Sequence, residues 1–195
     1  MDQAISTKLS LSCQCKKMQA CVEPIAPKLA NHLTCYCRDC QKFAVALNRA
    51  DDVLNEYAGT TILQVPIAHF KFLEGKEHLG CLRLTKKGLY RWYAKCCNTP
   101  IGNTLNGGWP FIGIIHSFID DNKLVEKAGV VKGSVHIKEA SREIPVQRLG
   151  PCGHTQLVLA TLQKLALWKL QGKHKPSEFF DNHGQPIVTP QIQAH

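Results

Sequence analysis

The sequence predicts a mostly β domain followed by one long helix near its carboxyl end. Three observations predict it. Short apolar runs recur between positions 62 and 137, each about the length of a strand. Gly75, Gly80, Gly88, Gly102, Gly107, Gly108 and Gly129 punctuate those runs, and Pro66, Pro100 and Pro110 break them. Residues 155–171 carry neither Gly nor Pro, are rich in Leu and Ala, and place Leu157, Thr161, Leu165 and Trp168 at helical spacing.

Residues 1–12 read as a short lead-in, and 13–22 as a strand leaving a cysteine loop. A Pro-containing turn follows at 23–27, then a second cysteine loop at 34–40. Residues 41–47 start a short helix, and 50–57 are polar and mildly helical up to Gly59. Strands are expected at 62–65, 69–73, 81–84, 89–94, 111–115 and 130–137, in an antiparallel arrangement. The helix at 155–171 has Thr155 as its N-cap and Gly172 as its stop. Its wide apolar face either packs on the β domain or forms a homodimer interface. The tail, with Phe179, Phe180 and a strand-like stretch at 186–189, folds back on the domain. The chain thus divides into a β domain at 10–150 and a helix with tail at 151–195.

The length of 195 residues suits a core that needs no disulfide staples. No apolar run approaches the roughly 20 residues of a membrane span. The amino terminus has no basic stretch leading into an apolar one, so the chain is expected in the reducing cytoplasm, where cysteines serve as thiols or metal ligands. Twenty-four Lys and Arg against 15 Asp and Glu give a net charge of +9. That balance suits anionic partners, but the basic residues are scattered and form no nucleic-acid recognition pattern.

Seven of the ten cysteines are clustered. Cys13 and Cys15 form one C-x-C, Cys35, Cys37 and Cys40 a C-x-C-x-x-C, and Cys96 and Cys97 an adjacent pair. Zinc takes four ligands in a tetrahedron and favours thiolates. Cys13 and Cys15 with the Cys96/Cys97 loop would close one site and staple an early strand to a later hairpin. The middle loop supplies three thiolates. It is either an open site, with a fourth position for water or substrate, or a structural site completed by a distant ligand. Cys21 and Cys81 read as core residues, Cys152 as a spare ligand or a turn residue, and His116 as a core or pocket histidine.

These clusters resemble the glutathione-dependent formaldehyde-activating enzyme family, which includes the centromere protein V-like proteins. Its pattern is C-x-C-G, then C-x-C-x-x-C, then F-C-x-x-C-G-[ST]-P. The three clusters of this chain fall in the same order over roughly residues 11–135. The resemblance implies a β-tent fold of small antiparallel sheets. It implies a structural zinc on the first and third clusters and a catalytic zinc on Cys35, Cys37 and Cys40. It implies a small thiol substrate, glutathione, joined to formaldehyde in a reaction classed as carbon–sulfur lyase. Arg38, inside the middle loop, reads either as the local cation for such an anionic ligand or as a solvated arginine. The chain departs from the pattern at three points. Ala94 stands at the first knuckle cysteine, with Cys96 beside Cys97 as replacement, and Lys16 and Asn98 stand where the family has glycines. The competing reading is a zinc-stabilised binding module without catalysis.

Overall fold

The structure, a computed structural model, describes residues 7–193. In chain order the elements are β1 (Thr7–Ser12), β2 (Gln19–Ile25), β3 (Asn31–Cys35), α1 (Arg38–Ala46), α2 (Ala50–Val53), β4 (Thr60–Pro66) and β5 (Phe70–Glu74). There follow β6 (Leu79–Arg83), β7 (Tyr90–Ala94), β8 (Thr99–Thr104), β9 (Phe111–Ile115), α3 (Leu124–Ala128), β10 (Ser134–Val135), α4 (His154–Leu170) and β11 (Gln191–Ile192). Single 3-10 turns fill several of the gaps.

The strands form two sheets. One has three strands in the order β1-β2-β5, and the other has eight in the order β10-β3-β4-β9-β8-β7-β6-β11. Alternation along the strands decides what each face meets. One face of the large sheet carries Leu63, Val65, Trp92, Ile101, Ile112 and Ile114. It packs on Leu9, Leu11, Ala20, Val22 and Phe70 of the small sheet. Each such Val, Leu, Ile or Phe side chain, fully buried, contributes about 1.5–3 kcal/mol. The opposite face carries Leu33, Cys35, Ile62 and Ile115 and lies under Cys40 and Ala44 of α1, Val53 of α2 and Leu157 of α4.

That second face also carries a polar row. Asn31 pairs in register with Gln64, Gln64 with Gly113, Gly113 with Asn103, and Asn103 with Arg91. Directly paired residues share a face, so five strands bring four polar side chains and one glycine into line. The Asn103 carboxamide lies over Gly113, its Oδ1 3.0 Å from where a Cβ would stand.

The mostly β architecture with a C-terminal helix is as the sequence indicates, and β9 has the bounds expected. Several elements differ. The expected strand at 13–22 begins only at Gln19, as β2, and the stretch expected as a lead-in at 1–12 holds β1, where Leu9 and Leu11 alternate with serines. The expected turn at 23–27 is partly strand, since β2 runs through Pro24 to Ile25. β3 and β8 carry no strand expectation, the second because Pro100 and Gly102 read as breakers. Gly102 is instead a close approach, with a Cβ there falling 2.5 Å from the Gly113 carbonyl oxygen. The helix at 50–57 is only the four residues of α2, and the strand at 130–137 contracts to β10. The sheet is not wholly antiparallel: β10 pairs with β3, and β11 with β6, in parallel at its two edges.

Gly153, not Thr155, occupies the N-cap of α4. The helix buries Leu157 and Trp168 and leaves Leu159, Leu162, Leu167 and Leu170 exposed. Asn31 Nδ2 donates to Thr161 Oγ1 at 2.8 Å, and Lys164 Nζ to the Ala30 carbonyl at 2.6 Å, tying it to the start of β3. Gly172, with φ 71°, follows its end. The tail returns to the main core through Phe179 and Phe180, which pack on Trp92 with ring centroids 5.0 and 5.7 Å away. The strand-like stretch at 186–189 makes one bridge, Pro186 to Phe180, and no strand. No helix among the described residues is long and apolar enough to cross a membrane.

Candidate metal centres

The first centre joins two turns, one between β1 and β2 and one between β7 and β8. In the first, Cys13 N–H donates to the Met18 carbonyl at 3.0 Å and Lys16 N–H to the Cys13 carbonyl at 2.9 Å. Lys16 has φ 62° and Asn98, in the second turn, φ 54°. These are the two positions where the sequence pattern leads one to expect glycine, and both have the left-handed backbone glycine adopts freely. The Lys16 conformation costs about 1–2 kcal/mol, and asparagine bears it more easily. Gln14 N–H donates to Thr99 Oγ1 at 3.1 Å and binds one turn to the other.

These turns bring the sulfurs of Cys13, Cys15, Cys96 and Cys97 within 4.8 Å of one another. Cys13 Sγ lies 3.6 Å from Cys15 Sγ and 3.7 Å from Cys96 Sγ, Cys15 and Cys96 are 3.3 Å apart, and Cys96 and Cys97 are 3.8 Å apart. Four thiolates each about 2.3 Å from zinc make a tetrahedron with edges of about 3.8 Å, so this donor set fits such an ion. The adjacent cysteines Cys96 and Cys97 both turn inward, and Ala94 closes β7 rather than entering the site. Burial pushes the Cys13 thiol up, and burial with hydrogen bonds from Cys15 and Cys13 pushes Cys96 up. At Cys97 burial acts in the same sense, but hydrogen bonds with Thr99 and the Cys15 N–H prevail and bring it down to about 6.

The second centre stands where β3 runs into α1. Cys35 ends the strand, Cys37 is the N-cap of the helix, and Cys40 lies in its first turn. The Cys37 sulfur accepts the Cys40 N–H at 3.4 Å, in the role a serine side chain usually takes. The three sulfurs lie within 4.8 Å of one another, with Cys35 and Cys40 3.9 Å apart. Among the described residues no fourth Cys, His, Asp or Glu joins the group at that distance. Hydrogen bonds from Cys35 and Cys40 hold the Cys37 thiol down, to about 2. The same contacts, then burial, push Cys35 far up.

This centre opens into a cavity of about 580 Å³. Its floor is the second face of the large sheet, including Gln64, Asn103 and Arg91 of the polar row, and α4 forms one wall through His154, Val158, Thr161 and Leu162. Those four recur at helical spacing, so a single stripe of the helix faces the cavity. Arg91 is buried, its side chain 1% exposed. Its Nη1 lies 4.0 Å from Cys40 Sγ, its Nη2 3.4 Å from Asp39 Oδ2, and its guanidinium 5.5 Å from the Phe43 ring centroid.

The segment after β10 is fastened to the cysteine loop. Tyr36 N–H donates to the Val135 carbonyl at 3.1 Å, Arg38 N–H to Glu139 Oε2 at 2.8 Å, and Gln41 Nε2 to the Glu139 carbonyl at 2.9 Å. Glu139 also meets His136 Nδ1 at 3.1 Å, and both line the cavity. His136 has φ 57°, a conformation that costs about 1–3 kcal/mol in a non-glycine residue and gathers at functional sites.

Cys21 and Cys81 are core residues, each 2% exposed. Cys152 packs beside the second centre without joining the thiol group, and His116 lines neither the cavity nor a metal group. Burial pushes His116 below the usual histidine range, and its Nδ1 has no hydrogen-bond partner. Sequence reasoning passes over Arg91, Asn103, His136, Glu139 and His154. The available signal was Arg91 inside the aromatic run Tyr90-Arg91-Trp92-Tyr93, a charge at an inward strand position.

A family model described as "Family of unknown function (DUF6151)" matches residues 5–190. A crystal structure of a Rhodobacter sphaeroides protein is similar at 13% identity, covering 64% of this chain and 97% of that one with a TM-score of 0.42. No curated protein matches the chain.

Proposed function

The chain belongs to the DUF6151 family, and on that premise we propose that it is a zinc protein with one structural and one open site. The open site activates a small thiol such as glutathione for adduct formation with an aldehyde. The observation that carries this reading is the second centre: three sulfurs within 4.8 Å, without a fourth side-chain donor among the described residues, facing a 580 Å³ cavity. The resemblance of the cysteine clusters to the formaldehyde-activating family supports it, and that family's reaction is classed as carbon–sulfur lyase. The edge lengths of the first centre match a closed tetrahedral thiolate site, the structural kind.

A zinc ion on Cys35, Cys37 and Cys40 would supply a fourth position that holds the incoming sulfur as a thiolate. The protein's own groups do the rest. Arg91 sets a buried positive charge beside Cys40 and offsets the net negative charge of three thiolates around a divalent ion. His136, oriented by Glu139, stands on the cavity wall to take the proton the thiol gives up and return it to the adduct oxygen. The α4 wall narrows access of water to the sulfurs.

Zinc content of the native protein by mass spectrometry, combined with exchange spectroscopy of glutathione and formaldehyde, tests this. Two zinc per chain are expected in the wild type and one in Cys37→Ser, with acceleration of adduct formation lost in the variant. One zinc in both, with no acceleration, would defeat the reading. The second reading, a zinc-stabilised binding module, draws on one observation: Leu159, Leu167 and Leu170 of α4 are more than half exposed.

A further inference from the structure

Burying a charged group costs several kcal/mol unless it is paired or used. Arg91 is buried at the centre of the large sheet, yet its protein contacts are long: 4.0 Å to Cys40 Sγ and 3.4 Å to Asp39. Asp39 is itself 57% exposed and gives a screened, partial pairing. A guanidinium carries five N–H donors, and this one borders the cavity. The residue opposite it on β8 is Asn103, 6% exposed, which borders the same cavity. Asn103 has room only because Gly113 lacks a side chain beneath it. A charged donor and an amide donor are thus set side by side, in register, on rigid strands next to three thiols.

We propose that Arg91 and Asn103 form an oxyanion subsite beside Cys35, Cys37 and Cys40. It receives a negatively charged oxygen on a carbon one or two bonds from a sulfur engaged at the thiol cluster. This rests on the thiol reading above and adds the class of partner atom. Two sources share this chemistry. One is the carboxylate of a short mercapto acid. The other is the carbonyl oxygen of an aldehyde: as the sulfur lone pair forms the C–S bond, the C=O π bond breaks and its electron pair moves to oxygen. Arg91 and Asn103 hold that oxygen until it takes the proton the thiol released, giving the neutral hemithioacetal. Donors fixed where charge develops need no reorganisation, the arrangement that stabilises such oxygens best.

Calorimetric titration of the zinc-loaded full chain with mercaptoacetate, ethanethiol and acetate tests it. Mercaptoacetate is expected to bind at least about tenfold more tightly than ethanethiol, the worth of one charge-assisted hydrogen bond. That preference should fall to about one in Arg91→Met and several-fold in Asn103→Leu. Arg91→Lys, which keeps the charge if Arg91→Met does not fold, should retain part of it. Equal affinities for the two thiols in the wild type overturn the subsite and leave the thiol reading standing. If neither thiol binds but acetate does, in an Arg91-dependent way, the thiol reading fails and the subsite stands. If acetate also fails to bind, both fail. Slower ethanethiol–formaldehyde adduct formation in Asn103→Leu assigns the oxygen to the carbonyl. A loss confined to mercaptoacetate binding assigns it to the carboxylate.

Discussion

The Arg91 guanidinium lies 4.0 Å from the Cys40 sulfur, although 51 residues separate them in the chain. Register places Arg91 on the floor of the cavity, and the first turn of α1 places Cys40 above it. A fixed cation there stabilises thiolate over thiol. Arg91→Met should therefore weaken metal binding at the second centre by about tenfold or more, an ion pair's worth in a partly dry site. Chelator competition against wild type checks this, with the first centre, which Arg91 does not contact, as internal reference.

Metal removal should act on the two centres differently. Cys13, Cys15, Cys96 and Cys97 join the β1–β2 turn to the β7–β8 turn, so a metal held by them would be coupled to folding. Cys13→Ser, or stringent chelation, should lower Tm. A loss of about 3 kcal/mol corresponds to roughly 6–12 °C in a domain of this size. An unchanged Tm after complete removal of metal would contradict the stapling role.

Cys37→Ser should remove metal from the second centre and spare the fold. Serine is among the preferred N-cap residues, so α1 keeps the hydrogen bond to Cys40 N–H that the sulfur now accepts. Zinc per chain should drop by one, with Tm within a few degrees of the zinc-loaded wild type. A collapse of the far-ultraviolet circular dichroism would count against this separation of roles.

Stability should fall in mild acid. Burial holds His32, His69 and His116 below the ordinary 6.5, so all three are neutral in the fold and more readily protonated when it opens. Their contribution is fully present above pH 6.5 and is lost as the pH falls from there through their folded values. Urea midpoints between pH 8 and pH 5 measure it, with metal-free protein separating this effect from proton competition at the thiols. A flat profile would exclude it.

Gly102→Ala should be strongly destabilising despite its mildness. A Cβ at Gly102 would fall 2.5 Å from the Gly113 carbonyl oxygen, which belongs to the neighbouring strand. Backbone cannot yield as a side chain can, so a cost of about 1–3 kcal/mol is expected, together with displacement of Asn103. Thermal denaturation and amide exchange of β8 would show both.

Clustering made the cysteines legible in the sequence, because thiol ligands must come from tight turns and tight turns leave short spacings. The strands at 62–65 and 111–115 were legible for a similar reason, as brief apolar runs between breakers. β8 was not, since Pro100 and Gly102 signal interruption locally while the sheet uses them at an edge of the ladder and at a close crossing. Arg91, Asn103 and His136 were illegible as a group: register across five strands and one parallel edge pairing brings them to the thiols, and neither has a local signature. α4 was legible as a helix, but its wide apolar face did not reveal that only Leu157 and Trp168 are buried.

The strand β7 begins with Tyr90 and Arg91 and ends at Ala94, two residues before Cys96. One stiff segment therefore carries the cation of one centre at its start and delivers two thiols to the other at its end. On the proposed function, an ion lost from the first centre would free the end of the strand whose start sets the cation 4.0 Å from Cys40. Chelator titrations followed by catalytic rate would then register a single inactivation with two origins. Only counting ions bound at each stage would tell a stripped reaction site from an intact one whose support has slackened.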